Sequence, residues 1–271
     1  MRNLAFGGLI VFISLMGCRE QANPEVKIQR IERFPLADGI EYVNVRINRG
    51  PEHLGTLHAV YANVEAVEPA IVLNPDRVSI GELAPKALLV TNAGFFTEHW
   101  KPTGFLKSKG EKLAPFITKG GPAGSGLVLL QQNKITFHER AKTQTPILER
   151  ANFGIQAGPR IIEKDGQNGI HSDDGQKRNR TIIGADQRNR LVLASFISDT
   201  SWSDGISLFE LQSIISPTGM KAAGHEDLGF HFALNLDGGP STGFYLRHPR
   251  HKIQEPENTP VHSGLSLKVR K

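Results

Sequence analysis

The 271 residues contain a single cysteine, Cys18. An intrachain disulfide is thereby excluded, and so is a structural zinc site built on thiolates. There is no Gly-x-x-x-x-Gly-Lys-Ser/Thr loop to cradle a nucleotide, and a serine-hydrolase reading is set aside. Lys and Arg are scattered rather than gathered in runs, and the formal net charge is only +5. That mild excess suits attraction to anionic lipid, polysaccharide or phosphate; a nucleic-acid partner is not expected. The motif His225-Glu226 followed by His231 lacks zincin spacing, which needs the second His one helical turn after the first.

Only one stretch is long and apolar, residues 4–16, and it follows the charged Arg2. A membrane-spanning helix needs about 20 apolar residues, so this shorter run fits the core of a signal peptide. It ends in Leu15-Met16-Gly17-Cys18, an aliphatic residue and a small residue ahead of cysteine, the pattern of a lipobox. The expectation is a signal peptide over 1–17, lipidated Cys18 with a polar tether over 18–28, and one folded domain over 29–271. Arg19 after Cys18, in place of Asp, points to the outer membrane of a two-membrane bacterial cell. The protein would face the periplasm or the exterior and touch the membrane through its lipid anchor only.

Beyond the tether the pattern is mostly strands. Residues 42–47 alternate apolar and polar at period two, and 57–64 and 70–73 behave alike. Residues 87–90 form a short apolar run suited to a central strand. Three hairpins are predicted: 127–130 with 134–137, 154–162 closing at Asp165-Gly166, and 181–183 with 191–193. The best helix is 207–215, where Ser207 and Glu210 have capping-box spacing and Leu208, Leu211 and Ile215 share a face. Pro217 and Gly219 are expected to stop it, leaving 221–229 as a loop. Many strands and few helices define an α+β class with a mainly antiparallel or mixed sheet in a single domain.

Four strand ends carry small and polar residues of the kind from which sites are built. They are Thr91-Asn92-Ala93-Gly94-Phe95-Phe96, Gly154-Ile155-Gln156-Ala157-Gly158-Pro159-Arg160, Arg178-Asn179-Arg180-Thr181, and Leu234-Asn235-Leu236-Asp237-Gly238-Gly239-Pro240-Ser241-Thr242-Gly243. In order and rough spacing these resemble the phosphodiester glycosidase family, the uncovering-enzyme-like N-acetylglucosamine-1-phosphodiester α-N-acetylglucosaminidase domain. Pro240 stands where that family usually has a third glycine, and 218–229 reads as an insertion.

The resemblance implies a hydrolase acting on a sugar joined through its anomeric carbon to a phosphodiester in a glycan. Such a ligand calls for cationic forks, and Arg160 and Arg180 are the candidates. Gly238 and Gly239 would offer backbone N–H groups as an anion nest, beside the hydroxyls of Ser241 and Thr242. Asp237 would stand at the anomeric centre as nucleophile or as stabiliser of positive charge. Asn92 would orient a sugar hydroxyl or the phosphate. A water-activating group is left open among Glu98, His99, His171, Asp173 and Asp174. Arg178 is expected in solvent, Phe95 and Phe96 in the core, and Trp100 either on a sugar or in packing. No cofactor is implied; a divalent cation is left open, with no ligand set spelled out.

Two other functions compete: a lipoprotein that binds phosphoglycan or polysaccharide without turnover, and a hydrolase of plain glycosides. The anchor is checked directly. Cys18→Ser should abolish lipid labelling of the protein and move it from the membrane fraction to the soluble fraction.

Overall fold

The structure, a computed structural model, describes residues 25–270. The signal segment and Cys18 lie outside the described residues. The first strand begins at Val26, inside the segment expected to be tether. No helix among the described residues is long and apolar enough to cross a membrane.

Three antiparallel sheets make up the domain. The largest has seven strands in the order Val26–Ala37, Ile40–Arg49, Glu52–Ala62, Leu191–Ser198, Arg180–Asp186, Phe230–Asn235 and Arg160–Ile162. A five-stranded sheet runs Glu111–Ala114, Leu106–Ser108, Phe153–Ala157, Gly126–Gln131 and Lys134–Glu139. The other five-stranded sheet runs His251–Glu255, Phe244–His248, Leu89–Asn92, Ser263–Val269 and Val67–Leu73. The run at 87–90 thus yields a central strand, as its apolar character demands. The class is α+β with antiparallel sheets throughout.

Period-two alternation decides how the layers stack. On the seven-stranded sheet, Tyr42, Val60, Ile183, Leu193 and Leu234 face Leu89, Val128, Ile155, Phe244 and Leu265 of the smaller sheets. Their neighbours Val43, Ala59, Ile182, Val192 and Ala194 face the opposite way, onto Leu211, Ile214, Ile215 and Met220 of two short helices. A one-residue slip in any of these strands would exchange the two sets. Both faces are buried, so the central strands are apolar on both sides.

The helix Leu208–Ile215 starts at the predicted capping box. The Ser207 hydroxyl accepts the Glu210 N–H at 3.1 Å, and the Glu210 carboxylate accepts the Ser207 N–H at 2.9 Å. The helix ends at Ile215, as expected, yet helical structure resumes at once with Pro217. It opens a second helix, Pro217–Ala222, where a residue without an N–H fits the first turn, and Ser216 caps it by accepting from Gly219 at 3.0 Å. A 3-10 turn, Glu226–Leu228, then buries Leu228. The region expected to be loop is therefore partly helical.

Two hairpins form with the predicted partners, Val128 opposite Phe137 and Ile183 opposite Leu193. The third does not form as one ribbon. The chain breaks at Gly158-Pro159, so Phe153–Ala157 belongs to one sheet and Arg160–Ile162 to another. Pro159 has no N–H to continue the ladder. The Asp165-Gly166 turn is present, with φ of 65° and 77°, but the return strand reduces to a bridge between Ile162 and Asn168.

A buried polar pair sits where the seven-stranded sheet meets the sheet containing Phe244. The Tyr42 hydroxyl is 2.7 Å from Nδ1 of His58, and the His58 ring stacks on Phe244 at 5.5 Å. Burial opposes protonation and holds His58 down to about 4. The unfolded chain binds this proton near the ordinary value of about 6.5, so the pair's contribution to stability falls as pH drops from there towards 4. The thermal midpoint should decline across that window, and His58→Gln should flatten the decline even if it lowers the midpoint at neutral pH.

Candidate active site

Four strand ends converge on one buried amide. Asn92, fully buried at the end of its strand, donates from Nδ2 to the backbone oxygen of Asp237 at 2.6 Å. Its Oδ1 accepts the Thr181 hydroxyl at 2.7 Å and the Gly243 N–H at 3.3 Å. Thr91 reinforces the junction by donating to the Gly243 oxygen at 2.6 Å. Both ends of the Asn92 amide thus meet protein partners. Asn92 positions the segment that carries Asp237, and is not placed to meet a ligand.

The segment 237–243 folds tightly on itself. The Gly238 N–H points back to Oδ1 of Asp237 at 2.9 Å, and the Gly239 N–H donates to the Asn179 oxygen at 2.8 Å. The expected anion nest is therefore not open, because both glycine donors already have acceptors. Gly239 is needed for another reason: its φ is 60°, and a Cβ there would meet Trp202 at 3.3 Å. Pro240 is the second residue of the 3-10 turn Gly239–Ser241, within the first turn where an N–H is not needed. Thr242 is buried and away from the cleft. The string Gly239-Pro240-Ser241-Thr242-Gly243 does satisfy Gly-x-Ser-x-Gly, contrary to the serine-hydrolase reading having been set aside on sequence. Yet Ser241 is no nucleophile elbow: it ends a 3-10 turn that leads into a strand rather than a strand-to-helix turn, and among the described residues no histidine lines the cleft.

A cleft of about 660 Å³ opens over this segment. Asp237, Ser241, Asn235, Arg178, Arg180, Asp174, Ser172 and Gln176 are its polar lining, and Phe95, Pro159, Ile170, Leu208, Phe209 and Pro240 supply apolar surface. Burial pushes the Asp237 carboxyl above its ordinary value, while bonds from Ser241 and the Gly238 N–H work the other way. Arg180 is held by its own strand's surroundings: Nε donates to the Ile206 oxygen at 3.0 Å and a terminal nitrogen donates to the Gln176 oxygen. Burial brings Arg180 down to about 10, so it remains a cation at neutral pH.

Arg160 is not brought to this cleft. Glu139 at 3.1 Å and Glu163 at 3.0 Å hold its guanidinium, because the chain turns at Gly158-Pro159 and leaves Arg160 facing the Lys134–Glu139 strand. Of the open candidates for water activation, Asp174 lines the cleft; Glu98, His99, His171 and Asp173 do not. Trp100 lies away from it, with Arg77 over its ring at 4.5 Å and its Nε1 on the Asn74 oxygen at 3.0 Å. Among the described residues, no three His, Cys, Asp or Glu side chains gather as a metal site.

Several lining residues escaped the sequence reading, Arg178 and Phe209 among them. Arg178 was expected in solvent, yet it lies two residues before Arg180 on extended chain, and period two puts both on one side. Phe209 lies off the buried face of its helix, an apolar residue where a polar one is the rule. Phe95, expected in the core, is half-buried and lines the cleft.

The phosphodiester glycosidase family model matches residues 85–269, and the chain belongs to that family. Members of the family are hydrolases. The fold resembles the catalytic domain of zebrafish N-acetylglucosamine-1-phosphodiester α-N-acetylglucosaminidase, at 14% identity and a TM-score of 0.60, covering 92% of this chain and 89% of that one. It also resembles a hypothetical protein from Synechocystis at 16% identity and a TM-score of 0.57, covering 89% of this chain and 64% of that longer one. No curated protein sequence matches the chain.

Asn92→Ala would leave three buried groups without their partner. It should cost about 2–4 kcal/mol in chemical denaturation. If the melting curve is unchanged, the junction does not hold the strand ends together.

Proposed function

We propose that the protein is an envelope-anchored lipoprotein that hydrolyses a glycosyl phosphodiester, releasing the sugar from its phosphate. One observation carries the reading: Asp237 shares a single cleft with Arg178 and Arg180, and neither arginine is ion-paired to it. A carboxylate and a cation held apart in this way suit a substrate whose anomeric carbon gains positive charge while its phosphate gains negative charge.

In this reading the bond between the anomeric carbon and the bridging oxygen breaks, and its electron pair leaves on the phosphate. Arg180 and Arg178 stabilise that charge through fixed donors. Phosphate needs little acid assistance to leave. Asp237 faces the anomeric carbon, as nucleophile or as stabiliser of the oxocarbenium-like state. The oxygen of water bonds to the anomeric carbon, one of its protons stays on the new sugar hydroxyl, and the other passes to a base, for which Asp174 is the cleft candidate. Ionised Asp237 is the working form. Burial raises its pKa, so activity should fall on the acid side at a pH above the ordinary carboxylate value of about 3.9.

The same raised pKa separates function from stability. The folded state holds the proton of Asp237 more tightly than the unfolded chain, so the ionised carboxylate costs stability at neutral pH. Asp237→Asn should melt at or above the wild-type temperature while losing about 10³-fold in turnover of sugar-1-phosphodiesters. Wild-type turnover that survives this substitution would remove Asp237 from the chemistry. Tight binding without turnover, in wild type and variant alike, would leave a phosphoglycan-binding lipoprotein.

A further inference from the structure

We infer that the cleft selects phosphodiesters whose second alcohol, the one that stays on the phosphate, is apolar: an aryl or prenyl-like group in preference to a second sugar. The inference rests on the hydrolase reading above and extends it to the other end of the substrate.

The order of groups along the cleft carries the argument. Asp237 is followed directly by Gly238, and a Cβ at Gly238 would lie 3.9 Å from Cδ of Arg180. The Arg180 side chain then runs on to the Ile206 oxygen, 3.0 Å from its Nε. Two residues beyond Ile206 the helix Leu208–Ile215 begins, and its first two residues line the cleft. The sequence of surfaces is therefore carboxylate, guanidinium, apolar wall. A glycosyl phosphodiester has the matching order of anomeric carbon, phosphate and alcohol. With the sugar at Asp237 and the phosphate at Arg180, the remaining alcohol falls on Leu208, Phe209 and Ile170.

This wall is built, not incidental. Gln212, itself 2% exposed, grips the backbone of Ile170 from both ends of its amide, accepting the N–H at 2.7 Å and donating to the oxygen at 2.9 Å. Ile170 is thereby fixed against the helix that presents Leu208 and Phe209. Phe209 is 40% exposed and lines the cleft together with Leu208 and Ile170, so a ligand lying there would cover it. The three apolar side chains themselves offer a second sugar no hydrogen-bond partners, the nearest polar lining in sequence being Ser172 and Gln176, whereas an apolar alcohol would cover them and leave water.

The experiment compares esters that share one sugar-1-phosphate and differ in the second alcohol: methyl, benzyl and a second sugar. The purified full chain should favour the benzyl ester over both others by roughly tenfold in kcat/KM, mostly through KM. Phe209→Ser should bring the benzyl-to-methyl ratio close to one, and Phe209→Leu should retain most of it. Melting curves check that both variants are folded, as the exposure of Phe209 leads one to expect. Turnover with no benzyl preference, a preference for the sugar ester, or a ratio that Phe209→Ser does not move would each overturn the inference while leaving the hydrolase reading intact. Absence of turnover with every ester would instead defeat the hydrolase reading, and this inference with it.

Discussion

The site depends on one buried side-chain amide. Asn92 stands at the end of the central strand of one sheet and reaches Thr181 on a strand of another, Gly243 ahead of a third strand, and the backbone of Asp237. Hydrogen bonds in a buried place are hard to exchange for water, so these four chain segments have one arrangement in which all are satisfied. The carboxylate of Asp237 inherits its position from that arrangement. So does Arg180, which adjoins Thr181 on the same strand. Both residues thus hang from a junction that is itself closed to solvent.

The electrostatics follow from the same packing. Two opposite charges in one cleft would ordinarily pair and cancel. Here Asp237 is governed by burial, Ser241 and the Gly238 N–H, while Arg180 is governed by burial and, among nearby charges, chiefly by Asp174. Backbone oxygens at Ile206 and Gln176 hold the guanidinium in place. Keeping the pair apart leaves each charge under-compensated, which is costly to folding and useful to a ligand that brings its own complementary charges.

Part of what stabilises the domain lies outside the region that the family model matches. The matched residues are 85–269, yet three of the seven strands in the largest sheet come from before residue 63. Glu52–Ala62 pairs along its length with Leu191–Ser198, and Tyr42 and Val60 enter the same core as Phe244 and Leu265. Arg190, after the Arg180–Asp186 strand, also bridges Asp186 at 2.6 Å and Glu41 of the N-terminal hairpin at 2.5 Å. The site elements therefore rest on a sheet that the N-terminal strands complete.

Local pattern determined much of this. Period-two alternation identified three strands, apolar runs between turn residues identified others, the capping box at Ser207 and Glu210 located the helix start, and the glycine-rich segment after Asp237 pointed to the candidate site, because each of these depends on neighbours in sequence. What local pattern does not encode is where a side chain ends up once sheets stack. Arg160 and Arg180 look alike as arginines at strand starts, but the break at Gly158-Pro159 turns one onto Glu139 and Glu163 while the other enters the cleft. Gly238 and Gly239 look like open donors until Asn179 and Asp237 take their N–H groups. Asn92 looks like a ligand contact until three strand ends close around it, and Phe209 looks like surface until Ile170 is drawn against its helix. Gly238 and Asp237 are neighbours and Glu163 is three residues from Arg160, but Glu139 for Arg160, Asn179 for Gly239, Thr181 and Asp237 for Asn92, and Ile170 for the helix of Phe209 lie far along the chain, and only tertiary packing brings them together.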